Sequence, residues 1–407
     1  MHRSAHLICA LCTLLLFACS EQSTESLDED QYLIDNPAAE GSSLPRLSRA
    51  RNDDLLLSWV TAADSAHQLL FARFDGQAWS EPAIVASGTD WFINYADFPS
   101  VSEPAPGVLL AHWLQRNGDS TYAYGVRIAL SHDQGQSWST PIWAHADRSA
   151  AEHGFVSSYP TAQGFGLVWL DGRDYANPAI AEPNSSLRYA EFDLQGTALR
   201  RGIIDERVCD CCQTDVASSR DRRFIVYRDR SLREIRDIVL AQGPLDGPIE
   251  SAAIVSADNW EIDACPVNGP SVASNGNAIA MAWYSHAGNV GKIKMARSTD
   301  RGVTFKATEL GAAAAPVGRV DIELMNDARM AISWLDKIPN EGVSLRMQLF
   351  GLHGQSSGPL DVAKVATGNG TGFPQMMRHG NALMFAWTDA TGAEPQIKTA
   401  RIPVTVN

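Results

Sequence analysis

Four cysteines are the residues of this chain best suited to specific chemistry. Cys209, Cys211 and Cys212 stand within the segment CDCCQT at positions 209–214, and Cys265 follows in DACPVNGP. Thiolate sulfur is a soft donor that binds zinc and copper(I), and paired thiols can also form disulfides. The spacing Cys-x-Cys-Cys lacks the two-residue spacer of common zinc knuckles. Disulfides and a metal or redox site are therefore both open interpretations.

A second group of chemically active residues is rich in arginine and aspartate. The segments LDGRDY and RDRSLREIRD each follow an aromatic residue that ends an apolar run. Guanidinium groups match the planar geometry of carboxylates and phosphates, so we expect an anionic small molecule or glycan as the ligand. The candidate ligand-binding residues are Arg173, Asp174, Arg228, Asp229, Arg233 and Arg319. The alternative is that these charges pair with one another across solvated strands.

The composition of the chain limits the classes of partner. The 407 residues are 45% hydrophobic and 20% charged, which is ordinary for a soluble globular protein. The formal net charge is -14, whereas binding to nucleic acid requires a clustered basic face. We therefore expect no nucleic-acid partner.

The first nineteen residues have the composition of an export signal. A short apolar run follows Arg3 and ends in Leu16-Phe17-Ala18-Cys19, which resembles a bacterial lipobox. We therefore expect residues 1–19 to be a lipoprotein signal peptide, with Cys19 lipidated, and residues 20–30 to be a flexible tether. This resemblance implies an exported protein that is anchored to a membrane by lipid. The expected location is the outer membrane, facing the periplasm or the cell surface.

An apolar run that ends in an aromatic residue recurs along the mature chain at intervals of 51 to 58 residues. The aromatic residues are Trp59, Trp113, Trp169, Tyr227, Trp283, Trp334 and Trp387. Further short apolar runs follow each of them, separated by Gly, Asp, Asn and Pro, as is typical of β-strands. Four short strands in about fifty residues are typical of one β-propeller blade. We therefore predict an all-β propeller of four-stranded antiparallel blades, in a single domain over residues 31–407.

The number of repeats favours seven blades, with six as the alternative. The last repeat shows only three clear strands. The segment QYLIDN at 31–36 precedes the first repeat and has the composition of a short strand. We expect it to supply the missing outer strand and so to close the ring.

Two repeats carry a shared motif between their third and fourth strands. The segments SHDQGQSW and STDRGVTF both match the Asp-box, Ser-x-Asp-x-Gly-x-x-Trp/Phe, a tight turn that suits glycine and a capping carboxylate. The motif residues are Ser131, Asp133, Gly135, Trp138, Ser298, Asp300, Gly302 and Phe305. On these residues the chain resembles the Asp-box, sialidase-like β-propellers, and the resemblance covers nearly all of the mature sequence. Asp-boxes are structural, so they indicate the fold and not the chemistry.

The resemblance implies a possible glycosidase chemistry. Sialidases of this fold bind the substrate carboxylate through three arginines and use a tyrosine nucleophile, a neighbouring carboxylate and an acidic proton donor. The catalytic candidates of this kind are Asp97, Tyr159 and Glu234. The first repeat departs from the family, because it reads Leu44-Pro45-Arg46 where the family opens with Arg-Ile-Pro. No arginine triad is therefore carried over, and enzymatic activity stays open.

The repeat also predicts where the cysteines lie. Cys209 and Cys265 stand at the same distance before the aromatic residues of the fourth and fifth repeats. In an antiparallel meander, the loop before the first strand and the loop after the second strand share one face. We therefore expect all four thiols on that face, where an oxidising compartment favours disulfides. No cofactor is expected otherwise, and copper or zinc at the cysteines is the alternative.

These observations lead to one functional expectation and two alternatives. We expect an exported lipoprotein that binds an acidic glycan or another anionic ligand at this arginine- and cysteine-rich face. The first alternative is an active exo-sialidase or related glycoside hydrolase. The second is a thiol-based protein that handles metal or undergoes redox chemistry.

Overall fold

The computed structural model describes residues 29–404, apart from positions 312, 327, 328, 352 and 353. The predicted signal peptide, the predicted lipidation site Cys19 and most of the predicted tether lie outside these residues. The described chain is built almost wholly of β-strands, with three short 3-10 helices at Glu29–Tyr32, Arg173–Ala176 and Ala287–Asn289. No helix among the described residues is long and apolar enough to cross a bilayer.

The strands follow one another along the chain with short connections. The first thirteen are β1 (Leu33–Ile34), β2 (Ser42–Arg49), β3 (Leu55–Ala63), β4 (Ala66–Phe74), β5 (Ala83–Gly88), β6 (Ser100–Ala105), β7 (Val108–Arg116), β8 (Tyr124–Ser131), β9 (Ile142–Trp143), β10 (His153–Pro160), β11 (Gly164–Asp171), β12 (Ser185–Asp193) and β13 (Ala198–Val208). The next eight are β14 (Asp215–Ser219), β15 (Arg222–Arg228), β16 (Ile238–Pro244), β17 (Ser251–Ser256), β18 (Ser271–Asn275), β19 (Ala278–Ser285), β20 (Lys292–Ser298) and β21 (Lys306–Glu309). The last seven are β22 (Pro316–Leu324), β23 (Met330–Ile338), β24 (Gly342–Phe350), β25 (Leu360–Val365), β26 (Gln375–His379), β27 (Ala382–Asp389) and β28 (Gln396–Pro403).

These strands form seven four-stranded antiparallel sheets, each a simple meander, which are the blades of a seven-bladed β-propeller. Blades one to six take their strands in chain order from β2 to β25. Blade seven has the order β1-β28-β27-β26, so its outer strand comes from the start of the fold. Leu33 pairs with Ala400, and the Thr399 hydroxyl donates to the Ile34 carbonyl at 2.8 Å. The predictions of seven blades and of closure by the segment at 31–36 are both confirmed.

The recurring aromatic residues hold neighbouring blades together. Each lies in the second strand of its blade, and all seven are at most 3% exposed. Trp334 of blade six, for example, packs in one cluster with Ala282 and Ile293 of blade five. Burying an aromatic side chain removes roughly 150–250 Å² from water, which stabilises by about 4–6 kcal/mol. The regular spacing of aromatic residues in the sequence therefore reflects the hydrophobic contact that recurs between neighbouring blades.

The inner strands bond directly from blade to blade around the central axis. The Ser48 hydroxyl donates to the Val101 carbonyl at 2.7 Å, and the Ser274 hydroxyl donates to the Ser218 carbonyl at 2.6 Å. Elsewhere a buried carboxylate accepts the bond, as Asp321 does from the Met376 amide at 2.7 Å. Small polar side chains let seven strands approach one axis while their backbone groups stay paired.

The two Asp-box segments form turns with the same hydrogen bonds. In the first, the Gly135 amide donates to the Ser131 hydroxyl at 2.8 Å, and the Ser137 amide donates to the Asp133 carboxylate at 2.9 Å. The Ser137 and Ser131 hydroxyl groups lower the pKa of Asp133 to about 2. Gly135 has φ +91°, and a Cβ there would lie 2.3 Å from the Phe71 ring of the preceding blade. The turn therefore requires glycine for two reasons, its conformation and its close packing.

We predict that replacing Trp334 by alanine lowers the free energy of unfolding by about 3–5 kcal/mol, because the cavity would lie between two blades. Ile254→Ala is the control, since Ile254 lies in an outer strand and is 52% exposed. Denaturant titration followed by circular dichroism measures both. Equal effects of the two substitutions would contradict the assignment of the inter-blade core.

Candidate functional site

The cysteine cluster consists of Cys209, Cys211, Cys212 and Cys265. The first three lie between the outer strand of blade three and the inner strand of blade four, and Cys265 lies in the equivalent connection between blades four and five. The Cys209 amide donates to the Arg228 carbonyl at 3.0 Å, which ties this connection to the end of β15. The thiols therefore meet because adjacent blades place equivalent loops side by side.

The sulfur atoms of the cluster are close but not bonded. The Cys209 Sγ lies 3.1 Å from the Cys212 Sγ and 3.8 Å from the Cys211 Sγ. A disulfide has an S–S distance of about 2.05 Å, and all four cysteines are free. The disulfide interpretation is therefore not borne out in this structure.

A buried guanidinium faces the deepest thiol. The Arg236 Nη1 donates to the Cys209 Sγ at 3.3 Å, and Arg236 is 3% exposed. Burial alone raises the pKa of the Cys209 thiol, but the hydrogen bonds from Cys211 and Cys212 and the charge of Arg236 together lower it below its usual range. A cation aimed at sulfur stabilises the thiolate, which is the form that binds metal.

Asp210 lies at the outer rim of the cluster, next to the exposed Cys265. Its carboxylate is 3.9 Å from the Cys265 Sγ and 3.6 Å from the guanidinium groups of Arg230 and Arg236. The Tyr175 hydroxyl approaches it at 3.4 Å. Asp210, Cys211 and Cys265 have their ligand atoms within 4.8 Å of one another, as do Cys209, Cys211 and Cys212. The cluster thus offers two overlapping sets of metal ligands.

A second polar cluster places the Tyr124 hydroxyl between two carboxyl groups, the buried Asp97 and the half-buried Glu152. The Tyr124 hydroxyl lies 2.6 Å from Glu152 and 3.0 Å from Asp97. One hydroxyl has one proton, so at least one of the two carboxyl groups must be protonated for both contacts to be hydrogen bonds. Burial is the largest cause that raises the pKa of each carboxyl group to about 7. Asp210 also raises the pKa of Glu152, which places this cluster within electrostatic reach of the cysteine cluster.

Three of the predicted ligand-binding arginines have their guanidinium groups occupied within the fold. Arg173 makes two bonds of 2.6 Å to the buried Asp171 carboxylate. Arg228 is 2% exposed and donates to three backbone carbonyl groups, including that of Asn268 at 2.8 Å. Arg319 donates to the Gly372 carbonyl at 2.7 Å and is also buried. Arg228 and Arg319 thus hold segments of adjacent blades together, whereas the Arg173 contact lies within one blade.

The other three predicted ligand-binding residues are scattered. Asp174 accepts a bond from Asn184 at 3.3 Å. Burial and the neighbouring carboxylates of Asp205 and Asp237 raise the pKa of Asp229 to about 6. Arg233 is exposed on the loop that follows β15. Their roles in ligand binding stay predictions.

The three catalytic candidates do not converge on one point. Asp97 accepts a bond from the Phe155 amide near the start of β10, whereas Tyr159 lies four residues, or about 13 Å, further along that strand. Tyr159 donates to the buried Glu191 at 3.2 Å. Glu234 is bonded to Arg230 and Arg236 beside the cysteine cluster. Among the described residues, no hydrogen bond joins any two of the three candidates.

A polar cavity of about 440 Å³ lies along the propeller axis, lined by the inner strands. Arg46 lies in it, 5.3 Å from the centre of the Phe98 ring, and donates to Gln375 at 2.8 Å. Burial raises the pKa of Asp321, on the cavity wall, to about 7. The cavity is large enough for a small ligand.

Sequence inspection selected the cysteines but missed their neighbours. Asp210 stands inside CDCC and Arg236 within RDRSLREIRD, yet no motif distinguishes either residue as a neighbour of the thiols. Tyr124 and Glu152 belong to no motif, and they meet only when β8 lies beside the loop before β10. Nothing in the local sequence signals that contact.

No family model matches the sequence, and no curated protein matches it either. Solved structures do share the architecture. The BP39L lectin from Burkholderia pseudomallei is 11% identical with a TM-score of 0.61, and the match covers 91% of this chain and 98% of the lectin. Polysaccharide lyase Uly1 is 10% identical with a TM-score of 0.52, over 94% of each chain. A protein of unknown function from Dyadobacter fermentans is 13% identical with a TM-score of 0.51, over 92% of this chain and 97% of its own.

At these identities, the similarity establishes the propeller fold alone. The narrower resemblance to sialidase-like propellers stays a prediction, and what is confirmed is the β-propeller fold. It assigns no activity and no ligand to the residues described above.

We predict that Glu152→Gln removes a pH-dependent loss of stability. A carboxyl group whose pKa is raised to about 7 in the folded protein holds its proton better there than in the unfolded chain. Its stabilising contribution is complete below about pH 4.5 and is lost as the pH rises to about 7. Relative to the variant, the free energy of unfolding of the unsubstituted protein should fall by about 1–3 kcal/mol over that pH interval.

Unfolding free energies measured across this pH range test the prediction. Glu206→Gln is the control, because the Glu206 side chain is exposed. Parallel pH profiles for the unsubstituted protein and Glu152→Gln would refute the shared-proton arrangement.

Proposed function

We propose that the protein binds a soft metal ion, copper(I) or zinc(II), at the cysteine cluster. The observation that carries this proposal is the convergence of four thiols from two neighbouring blades on Cys211. Cys211 belongs to both sets of close ligand atoms. Thiolate sulfur is a donor that selects copper(I) and zinc over harder cations.

The distances within the cluster support metal binding. Zinc with Zn–S bonds of about 2.3 Å has tetrahedral sulfur–sulfur edges of about 3.8 Å. The Cys209–Cys211 separation is 3.8 Å, and the Cys209–Cys212 separation of 3.1 Å has to widen by only about 0.7 Å. Small side-chain rotations suffice for that change, because the three cysteines share one loop.

The charges around the cluster support the same proposal. Metal ligands need deprotonated sulfur and a surrounding layer that fixes their orientation. Arg236 donates to Cys209 and is itself held by Glu234 at 2.9 Å. A buried cation at this position offsets the negative charge that several thiolates bring to one ion.

We further propose that the protein is an exported lipoprotein anchored through Cys19, on the outer membrane and facing the periplasm or the cell surface. This location rests on the N-terminal sequence. In an oxidising compartment neighbouring free thiols tend to oxidise, and coordination to a metal ion protects them. Export and metal binding are therefore compatible.

A second candidate function is the binding of an acidic glycan or another anionic ligand in the axial cavity. The specific observation that favours it is Arg46, whose guanidinium lies over the Phe98 ring inside a polar cavity. An aromatic ring and a cation side by side suit a sugar that carries a carboxylate. The proposal does not extend to sialidase activity, because Arg173, Arg228 and Arg319 are bonded within the fold.

We predict that anaerobically purified protein retains about one equivalent of copper(I) or zinc(II) per chain and that Cys211→Ser abolishes this retention. Cys211 is the shared member of both ligand sets, so its loss disrupts either mode of binding. Elemental analysis and thiolate-to-metal absorption measure the metal, and thiol titration counts the free cysteines.

Arg233→Ala is the matched control, because Arg233 is exposed on a loop beside the cluster. It should retain metal as the unsubstituted protein does. Free thiols at all four cysteines of the cluster and no metal after reconstitution, with native circular dichroism, would refute the metal-binding proposal.

For the second candidate function, we predict that the protein binds N-acetylneuraminic acid. Arg46→Ala should lower the affinity for this sugar by at least about tenfold, since a charge-assisted contact is lost. Isothermal titration calorimetry measures the affinity, and Lys306→Ala is the control, because Lys306 is exposed on the outer strand β21, away from the cavity. Equal binding of neutral methyl galactoside would argue against recognition of the anion. A fluorogenic sialoside added to the same samples separates binding from hydrolysis.

A further inference from the structure

We infer that the cysteine cluster contains two overlapping metal sites, an inner site that retains the ion and an outer site through which the ion arrives and leaves. This inference rests on the proposed metal binding. The inner site is Cys209, Cys211 and Cys212, and the outer site is Asp210, Cys211 and Cys265. Cys211 belongs to both, so an ion can pass between them without losing every ligand.

Burial separates the two sites. Cys209 is 1% exposed and Cys212 is 2% exposed, whereas Cys265 lies on the surface. An ion held by the inner site is shielded from solvent and from competing ligands. An ion at the outer site is within reach of a molecule in solution.

The donor atoms, like the burial, favour the inner site for a soft ion. The inner site has three sulfur donors, which suit a soft ion such as copper(I). The outer site replaces one sulfur with a carboxylate oxygen, a harder and weaker partner for such an ion. We therefore expect the ion to be bound mainly at the inner site and only transiently at the outer site.

The ion pairs around Asp210 leave its carboxylate available. Arg230 and Arg236 approach Asp210 only at 3.6 Å. Their short bonds go to Glu234, at 3.0 Å from Arg230 and 2.9 Å from Arg236. Glu234 thus accepts the shorter bonds from both arginines and acts as a positioning residue that leaves Asp210 with only longer contacts, which a metal ion can replace.

The transfer that follows is a ligand exchange with no change of oxidation state. The ion arrives as a complex with an external thiolate, and bonds form to Asp210, Cys211 and Cys265 as the external sulfur leaves. Cys211 and Cys265 each release a thiol proton, of which one passes to the external sulfur and the other to water. Bonds to Cys209 and Cys212 then replace those to Cys265 and Asp210, and the thiol protons of Cys209 and Cys212 pass to Cys265 and to water. The partner class is therefore a small molecule or protein that presents metal on thiolate sulfur.

The test compares how tightly and how fast the full-length protein and its variants hold metal. Copper(I) is removed by bathocuproine disulfonate and, in parallel, zinc(II) by pyridylazoresorcinol, with absorbance followed over time. Cys265→Ser and Asp210→Asn should slow release by about tenfold and change the equilibrium affinity by less than about threefold. Cys209→Ser should weaken the affinity on the order of 100-fold or more, since losing a direct ligand costs at least as much as losing its hydrogen-bonded neighbour.

The outcomes separate the two proposals. No retention of either metal by the unsubstituted protein would overturn the proposed function and this inference together. Retention with equal losses of affinity in Cys265→Ser and Cys209→Ser would indicate one four-cysteine site and overturn only this inference. Release rates that are unchanged in both Cys265→Ser and Asp210→Asn would also overturn the inference of two sites. The control Arg233→Ala should have the same release rate and metal affinity as the unsubstituted protein.

Discussion

A single blade of this protein cannot bury its own faces, and every other feature follows from that constraint. Each second strand places an aromatic side chain, such as Trp283 or Trp334, against the next blade, where it is fully buried. Stability therefore comes from contacts between blades more than from contacts within them. The same requirement fixes the angle and distance between neighbours, and so it also fixes which loops meet at the rim.

Much of the fold could be predicted from the sequence, because the same pattern of apolar and aromatic residues recurs in every blade. The spacing of the aromatic residues gave the number of blades, and the incomplete last repeat indicated that residues near the start of the fold complete the ring. The positions of Cys209 and Cys265 were readable for the same reason. Each stands at the same point of its repeat, and equivalent points of adjacent blades lie side by side.

The hydrogen-bond partners of the charged residues could not be predicted from the repeat. Arg228 and Arg319 looked like ligand-binding groups, yet both point into backbone carbonyl groups of neighbouring loops. Such contacts depend on local backbone conformation, including the irregular pairing of β22 where Arg319 has a positive φ of +53°, and no periodic pattern of residues predicts it. Tyr124 and Glu152 show the same limit, since the contacts of the Tyr124 hydroxyl with Glu152 and Asp97 form only when separate segments of the chain meet.

The closure of the ring by β1 and β28 has a consequence for the way the protein is made. The hydrogen bond between Thr399 and Ile34 joins residues 365 positions apart, so the earliest strand must wait for nearly the whole chain to be synthesised. Until then blade seven lacks its outer strand, and unpaired strand edges are sites of misassembly. We expect closure to be a late and slow event in maturation, because contacts between such distant segments form slowly.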